Sequence, residues 1–302
     1  MSHNKDYECF YFIADYHALT TLKNKEEMKE YFFNIACTWL ACGLDPEKVV
    51  FYRQSDIKED FELNWILCNV TPKGLMNRAH AYKAIVEKNE ELGVDKDDGV
   101  NMGLYNYPIL MAADILLFDS DYVPVGLDQK QHIEIARDIA HNFNVKYGKC
   151  LKEPMEKIDD DNKTLIGLDG RKMSKSYNNT IPLFSTEEAL KKAIFRVVTD
   201  SRLPGEAKDK DCTVNKLFKL FATKEEAQKF ENDLLNGLGW GEAKKQLFEV
   251  ANHYLSPMRE KFNYFMAHKD EVEKILKEGA IKAQLVAEKV LKRVRIAIGI
   301  ED

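Results

Sequence analysis

No C-x-x-C pair occurs among the six cysteines (Cys9, Cys37, Cys42, Cys68, Cys150, Cys212), so the spacing that holds zinc or an iron–sulfur cluster is missing and no protein metal site is expected. Most of them fall within apolar patterns and are expected to be small buried hydrophobes with reduced thiols. No apolar run reaches the length of a membrane span. The opening Met1-Ser2-His3-Asn4-Lys5-Asp6 lacks the apolar core of a signal peptide, so a cytoplasmic location is expected. Internal repeats and low-complexity segments are absent as well. A net charge of −6 gives no global attraction for nucleic acid, and any RNA contact must come from a local basic patch. What is present is 302 residues of ordinary apolar content, enough for one large domain or two smaller ones.

Taken in order, Cys9-Phe10-Tyr11-Phe12-Ile13-Ala14 predicts a buried strand that delivers Asp15, Tyr16 and His17 to its carboxyl end, the edge where open α/β sheets bind ligands. Asn24 caps a helix whose apolar residues recur from Met28 to Leu40 and which Gly43 stops. Val49-Val50-Phe51-Tyr52 is the next strand, and strand, helix, strand at this spacing predicts a parallel βαβ unit. A helical pattern over about 57–103 is broken at Thr71-Pro72-Lys73-Gly74 and by an exposed loop at Gly93–Gly99. A helix is expected from Pro108 to Phe118, then a strand at Tyr122–Gly126. A long helix follows, opened by Asp128 and Gln131 spaced as a capping box. After about residue 185 no strand is expected: helices start near Thr186 and Thr223 and stop at Gly237 and Gly279. The expected class is α/β, with a Rossmann-type parallel-sheet domain over 1–185 and an all-helical domain over 186–302.

Three stretches carry chemistry. Tyr107, Met111 and Asp114 are four and three residues apart, so a helix puts them on one face. An isolated buried carboxylate costs several kcal/mol, so Asp114 needs a donor. The donor is either internal or a flat apolar ligand with a single N–H, such as an indole, with Val123 and Val125 as a pocket wall. Gly126-Leu127-Asp128-Gln129 lies between a strand end and a helix start, where backbone N–H groups and a carboxylate suit a ribose or phosphate; a plain N-cap explains Asp128 equally well. His17, His132 and Lys130 have plain structural explanations. Lys172-Met173-Ser174-Lys175-Ser176, between Gly170 and Asn178-Asn179, is a polar loop suited to a polyphosphate. The basic stripe Lys282, Lys289, Lys292, Arg293 and Arg295 fits a phosphate backbone or a helix C-terminus equally.

Together, Asp15–Thr20, Tyr107–Asp114, Val123–His132 and the K-M-S-K-S loop resemble, in order and over essentially the whole chain, the bacterial tryptophanyl-tRNA synthetases of class I. The resemblance implies a tryptophan–tRNA ligase with tryptophan, Mg²⁺·ATP and tRNA(Trp) as substrates, a homodimer, and anticodon recognition by the helical C-terminal part. It places the indole on Asp114, with Met111, Val123 and Val125 shaping its pocket and His17 beside the amino acid. Tyr107 and Gln129 would hold the α-amino group. ATP would meet Gly126, Leu127, Asp128, Leu165, Lys172, Met173, Ser174, Lys175 and Ser176, with Lys172, Ser174 and Lys175 as the catalytic clamp on the phosphates. The sister tyrosine enzyme fits less well, because Met111 and Asp114 suit an indole better than a phenol. One departure stands out: the family's first strand and its H-x-G-H or H-x-G-N turn have no counterpart in these residues. That strand is central, so unpaired edges and a gap in the core are expected. Either an N-terminally shortened enzyme or a paralogue that binds tryptophan, tRNA or a partner without forming adenylate would look this way.

Overall fold

A computed structural model describes residues 6–158 and 165–302. In chain order it has β1 Phe10–Ile13, α1 Asp15–Ala18, α2 Lys25–Ala41, β2 Val50–Arg53, α3 Glu59–Cys68, α4 Lys73–Met76, α5 His80–Leu92, α6 Met102–Leu116, β3 Tyr122–Pro124, α7 Lys130–Tyr147 and β4 Met155–Lys157. Then come α8 Glu187–Phe195, α9 Thr213–Phe218, α10 Lys224–Leu235, α11 Trp240–Ala267 and α12 Lys269–Ile298. Two compact units result: Met1–Ala36 with Leu44–Asn162 and His268–Asp302, and Cys37–Gly43 with Lys163–Ala267. α12 packs on β2 and so belongs with the first unit. Among the described residues no helix is long and apolar enough to cross a membrane.

In the first unit the expected βαβ crossover is present. β1 and β2 run parallel, Phe10 opposite Val50 and Ile13 opposite Arg53. β3 and β4 form a second parallel pair, Tyr122 opposite Met155; β4 lies in a charged stretch that sequence reading passed over. The two pairs do not join. A cavity of about 400 Å³ separates them, lined by Asp6–Phe12 on one side and Asp119–Pro124 on the other. This is the expected gap: two strand edges face each other with unfilled space between them.

Helices cover the sheet as apolar periodicity dictates. On α6 the residues Ile109, Ala112, Ala113 and Leu116 are buried, and on α7 Ile133, Ala136, Ile139, Ala140 and Phe143. Each large aliphatic side chain buried in this way contributes about 1.5–3 kcal/mol. α6 starts six residues before the expected Pro108, because the Asn101 side chain accepts the Leu104 N–H and caps it there. Pro108 sits inside the helix; the one backbone bond it forgoes is offset by the buried face around it. The expected capping box is also corrected. Asp128 lies in a 3₁₀ turn before α7, and the Gln131 amide instead accepts the His80 N–H and donates to the Arg78 carbonyl.

Gly279 does not stop a helix; it lies within α12. A Cβ there would sit 1.8 Å from the Phe51 carbonyl oxygen, so glycine is what lets α12 cross β2 in contact with its backbone. Four of the five basic residues of the α12 stripe are engaged internally: Arg293 grips Asp119, Arg295 grips Glu62, Lys282 donates to the Pro46 carbonyl and Lys292 pairs with Glu301. No disulfide joins the six cysteines, and Cys37 alone is fully buried, fewer than expected.

The second unit packs Leu190, Ile194, Val214, Leu217, Leu234, Leu247 and Leu255 around Phe218 and Phe230, whose rings stack 3.9 Å apart. Thr186 caps α8, and Thr223 with Glu226 forms a full capping box on α10. Gly237, at φ +94°, ends that helix as expected.

Candidate functional site

Two separate places hold the chemistry-bearing residues. In the first unit, the carboxyl end of β2, the short α1 and the inner faces of α3 and α6 converge on Asp114. Its side chain is 8% exposed and lines the same cavity as Val123, Tyr52 and Phe118. The donor that Asp114 required is Gln54, 1% exposed at the end of β2, whose Nε2 donates to Oδ1 at 2.8 Å and to Oδ2 at 3.0 Å. Gln54 is oriented in turn by the His17 backbone N–H, which donates to its Oε1 at 3.1 Å. Asp15 holds the adjoining turn by accepting the Ser55 N–H at 3.0 Å and the Ser55 hydroxyl. Among the described residues no arginine or lysine pairs with Asp114.

A second carboxylate, Asp60 of α3, is 2% exposed, and neither of its oxygens has a hydrogen-bond partner among the described residues. Burial pushes the Asp60 carboxyl up to about 7. It pushes Asp114 well above the carboxylate range too, reinforced by the Asp60 charge and opposed by the Gln54 hydrogen bond. Tyr52, buried beside both, is raised by desolvation and by the two carboxylate charges. On the neighbouring face the Tyr107 hydroxyl meets His132 Nε2 at 3.2 Å, and the His17 ring lies 4.9 Å from the Tyr107 ring. Burial lowers both histidines, favouring the neutral rings. Tyr107 and His17 also line a second cavity of about 250 Å³, with Asn64, Asn106 and Phe61. Met111 and Val125 are half-buried against the same core.

At the end of β3, Gly126 leads into a 3₁₀ turn, Leu127–Gln129. A Cβ at 126 would lie 2.6 Å from Asp128 Oδ1, so a larger residue there would displace the Asp128 carboxylate. Gln129 Nε2 donates to Asp128 Oδ2 at 3.1 Å, and Leu127 is exposed.

In the second unit, the lysine loop is a narrow antiparallel turn. Ile166 bridges Lys172, the Gly167 N–H donates to the Arg171 carbonyl and the Met173 N–H to the Leu165 carbonyl. Asn179, 2% exposed, ties it together: its amide donates to Asp169 Oδ1 at 2.7 Å and to the Lys172 carbonyl at 3.0 Å, while its Oδ1 accepts the Ser174 N–H at 2.8 Å. Gly167 permits this, since a Cβ there would lie 2.2 Å from the Asn179 amide. Ser174 then caps a 3₁₀ turn, Lys175–Tyr177, and its hydroxyl meets that of Ser176 at 2.7 Å. Lys172 and Lys175 are exposed and, among the described residues, form no ion pair. Leu165 is exposed at the edge of the loop.

Sequence reasoning missed Gln54, Asp60 and the role of Asn179. Asp60 carried a signal: it lies three residues before Leu63 and seven before Leu67, on the buried stripe of α3. Gln54 follows a strand end, the position that ligand-site reasoning singles out.

A parallel α/β unit with polar side chains gathered at its strand ends, joined to a helical unit with an exposed cationic loop, is the architecture of a nucleotide-using ligase class. The comparisons with known proteins give the family. The family description "tRNA synthetases class I (W and Y)" matches residues 2–256, and the chain belongs to that family. Tryptophan–tRNA ligase of Bordetella parapertussis is 52% identical over 296 residues, 97% of this chain and 66% of that protein. The enzyme of the same name from Neisseria meningitidis is 50% identical over 299 residues, covering 98% and 89%. In structure, tryptophanyl-tRNA synthetase from Campylobacter jejuni, complexed with ADP and tryptophan, is similar at a TM-score of 0.90 and 41% identity, covering 98% of this chain and 91% of that one. The chain thus spans slightly under two thirds of the Bordetella relative's length.

Proposed function

We propose that the chain recognises tryptophan at Asp114 and serves as a tryptophan–tRNA ligase, joining tryptophan to tRNA(Trp) by way of tryptophanyl-adenylate. The observation that carries this is a buried carboxylate with no cationic partner among the described residues, lining a cavity together with Phe10, Phe12, Tyr52 and Phe118. Such an acceptor rewards a flat apolar ligand that brings one N–H, and phenylalanine leaves it unmet. Met111, Val123 and Val125 wall the indole, and Tyr107, Gln129 and His17 lie toward the amino-acid backbone. Gly126 and Asp128 meet the ribose, Leu165 the adenine, and Lys172, Ser174 and Lys175 the phosphates, with Leu127, Met173 and Ser176 also contributing to ATP binding. The chemistry is one of positioning and charge stabilisation: the tryptophan carboxylate attacks the α-phosphorus while ammonium groups follow charge onto the departing pyrophosphate. Mg²⁺, in this reading, comes with ATP as part of the substrate. In this reading the protein works in the cytoplasm as a homodimer, and residues 186–302 contribute anticodon recognition. Exposed Phe61 and Trp65, one turn apart on α3, offer an apolar surface for pairing.

The test is calorimetric titration of the 302-residue chain with tryptophan and with tyrosine, for wild type and Asp114→Ala. Tryptophan is expected to bind more tightly, and Asp114→Ala to weaken it by about 2 kcal/mol while sparing ATP. Preference for tyrosine, or equal loss of tryptophan and ATP in the variant, overturns the reading.

A further inference from the structure

His132 lies in the first turn of α7, and Tyr107 lies on α6, the helix that α7 packs against. The His132 side chain is buried, 7% exposed, with its Nε2 at 3.2 Å from the Tyr107 hydroxyl and the two ring centroids 5.3 Å apart. Its other ring nitrogen, Nδ1, is buried without a hydrogen-bond partner among the described residues. Within those residues the ring's one hydrogen bond is therefore the one to Tyr107.

Either partner has a proton to give, and chemistry decides the direction. A phenol O–H is a stronger donor than the N–H of an uncharged imidazole, and a bare ring nitrogen is a stronger acceptor than a phenol oxygen. Tyr107 therefore donates and Nε2 accepts, which leaves the ring's own proton on Nδ1. The ring must be uncharged to accept. Burial favours that form, His17 and His80 reinforce it, and Asp128 opposes them.

This direction fixes what Tyr107 can offer a ligand. A tyrosine hydroxyl carries one proton and accepts through its lone pairs. With the proton committed to His132, acceptor capacity is what remains. Tyr107 is only half-buried and lines the cavity of about 250 Å³ that it shares with His17, and its own burial keeps the phenol neutral. An oxygen with its proton turned away suits an ammonium group, which has three donors and no acceptor. It does not suit a carboxylate, which would need that proton.

We infer that His132 is a positioning residue for the α-amino group of the amino acid: its Nε2 takes the Tyr107 hydroxyl hydrogen bond and so presents the phenol oxygen as a pure acceptor. It acts through Tyr107 and touches no substrate itself. This inference rests on the proposed tryptophan site and adds to it the group that sets the polarity of the amino end. A phenylalanine at 132 would fill the space, but the hydroxyl would then be free to turn its proton toward the ligand.

The experiment is calorimetric titration of the 302-residue chain with tryptophan and with indole-3-propionate, which lacks the amino group. It uses wild type, Tyr107→Phe, His132→Phe, His132→Gln and the double variant Tyr107→Phe/His132→Phe. His132→Phe is expected to weaken tryptophan about tenfold while leaving indole-3-propionate within about twofold of wild type. His132→Gln returns an oxygen acceptor near the Nε2 position, and tryptophan binding should recover to within about threefold. In the double variant the loss should equal that of Tyr107→Phe alone, because no hydroxyl is left to orient. Imidazole nitrogen shifts of isotope-labelled wild type should place the His132 proton on Nδ1, a readout that needs no variant and no ligand. Equal weakening of both ligands by His132→Phe, no recovery in His132→Gln, additive losses in the double variant, or a His132 proton on Nε2 each overturns the inference. If instead Tyr107→Phe leaves tryptophan binding unchanged, the amino group does not lie at Tyr107 and the proposed site itself is misplaced, so the two failures are told apart.

Discussion

The carboxylate slot around Asp114 and the lysine loop around Lys172 solve opposite problems. The slot holds its carboxyl group away from water, braced by Gln54 and the ends of packed elements. The loop holds its charges in water and braces only its backbone, through one buried amide, Asn179. A buried acceptor gains selectivity because a ligand that fails to pair with it leaves a desolvated charge behind. An exposed ammonium gains reach: it stays solvated until a polyphosphate arrives, at little cost in stability. Substitutions in and beneath the slot are therefore expected to register as stability, and those on the loop lysines as chemistry.

The largest expected effect lies beneath the slot. Gly279 lets α12 touch the backbone of β2, the strand that delivers Gln54. A methyl group cannot be accommodated 1.8 Å from a carbonyl oxygen without moving the helix or the strand. Gly279→Ala should destabilise the first unit by at least ~3 kcal/mol, measured by urea unfolding. A loss below 1 kcal/mol (roughly the scale of helix propensity) would show that the contact is soft.

Comparable in size is the pH dependence of the slot. The Asp60 carboxyl is raised from 3.8 to about 7 on folding, so its contribution to stability is fully present below about 4 and is lost as pH rises to about 7. Relative to Asp60→Asn, wild type should lose roughly 4 kcal/mol across that window. Parallel curves for the two proteins would mean that Asp60 ionises as freely in the folded chain as in the unfolded one.

The contrast also explains what was legible in advance. Asp114, Tyr107 and Met111 could be placed on one face because helical period alone fixes that, and the parallel pairing of β1 with β2 follows from strand–helix–strand spacing. The gap between β1 and β3 was expected only through the family resemblance, not from the residues themselves. Gln54 stayed hidden because its partner is sixty residues away, and such a contact is a property of packing, not of local pattern. Gly279 read as a helix stop because its reason is a neighbouring strand, and Pro108 read as a start because the true cap, Asn101, lies outside the apolar run. The lysine loop was read correctly as irregular, yet its internal bracing by Asn179 came from side-chain geometry that composition does not encode.

On the loop, Asn179 tests whether bracing the backbone matters. It makes three side-chain hydrogen bonds across ten residues, to Asp169, Lys172 and Ser174. Asn179→Ala leaves the Ser174 N–H and the Lys172 carbonyl without their partner, at about 1–2 kcal/mol of local stability. Amide exchange at Lys172–Ser176 should quicken while that of α6 and α7 stays unchanged. Unchanged exchange in the loop would show that the turn is held by its backbone bonds alone.

The smallest effect on stability belongs to Lys175. It is exposed, without an ion pair among the described residues, and stands on a 3₁₀ turn whose cap is Ser174. Lys175→Ala is expected to shift unfolding by less than about 0.5 kcal/mol, the usual scale for an exposed side chain with no special contact. Tryptophan binding should also hold, since the slot's donors and acceptors are untouched. The deficit is expected in pyrophosphate exchange, where an ammonium group that meets charge only as the phosphates separate is missing. Removing such a group typically costs a factor of about 10² in rate. The comparison breaks if Lys175→Ala weakens tryptophan binding as much as it slows exchange, for then the loop takes part in recognition as well as in charge transfer.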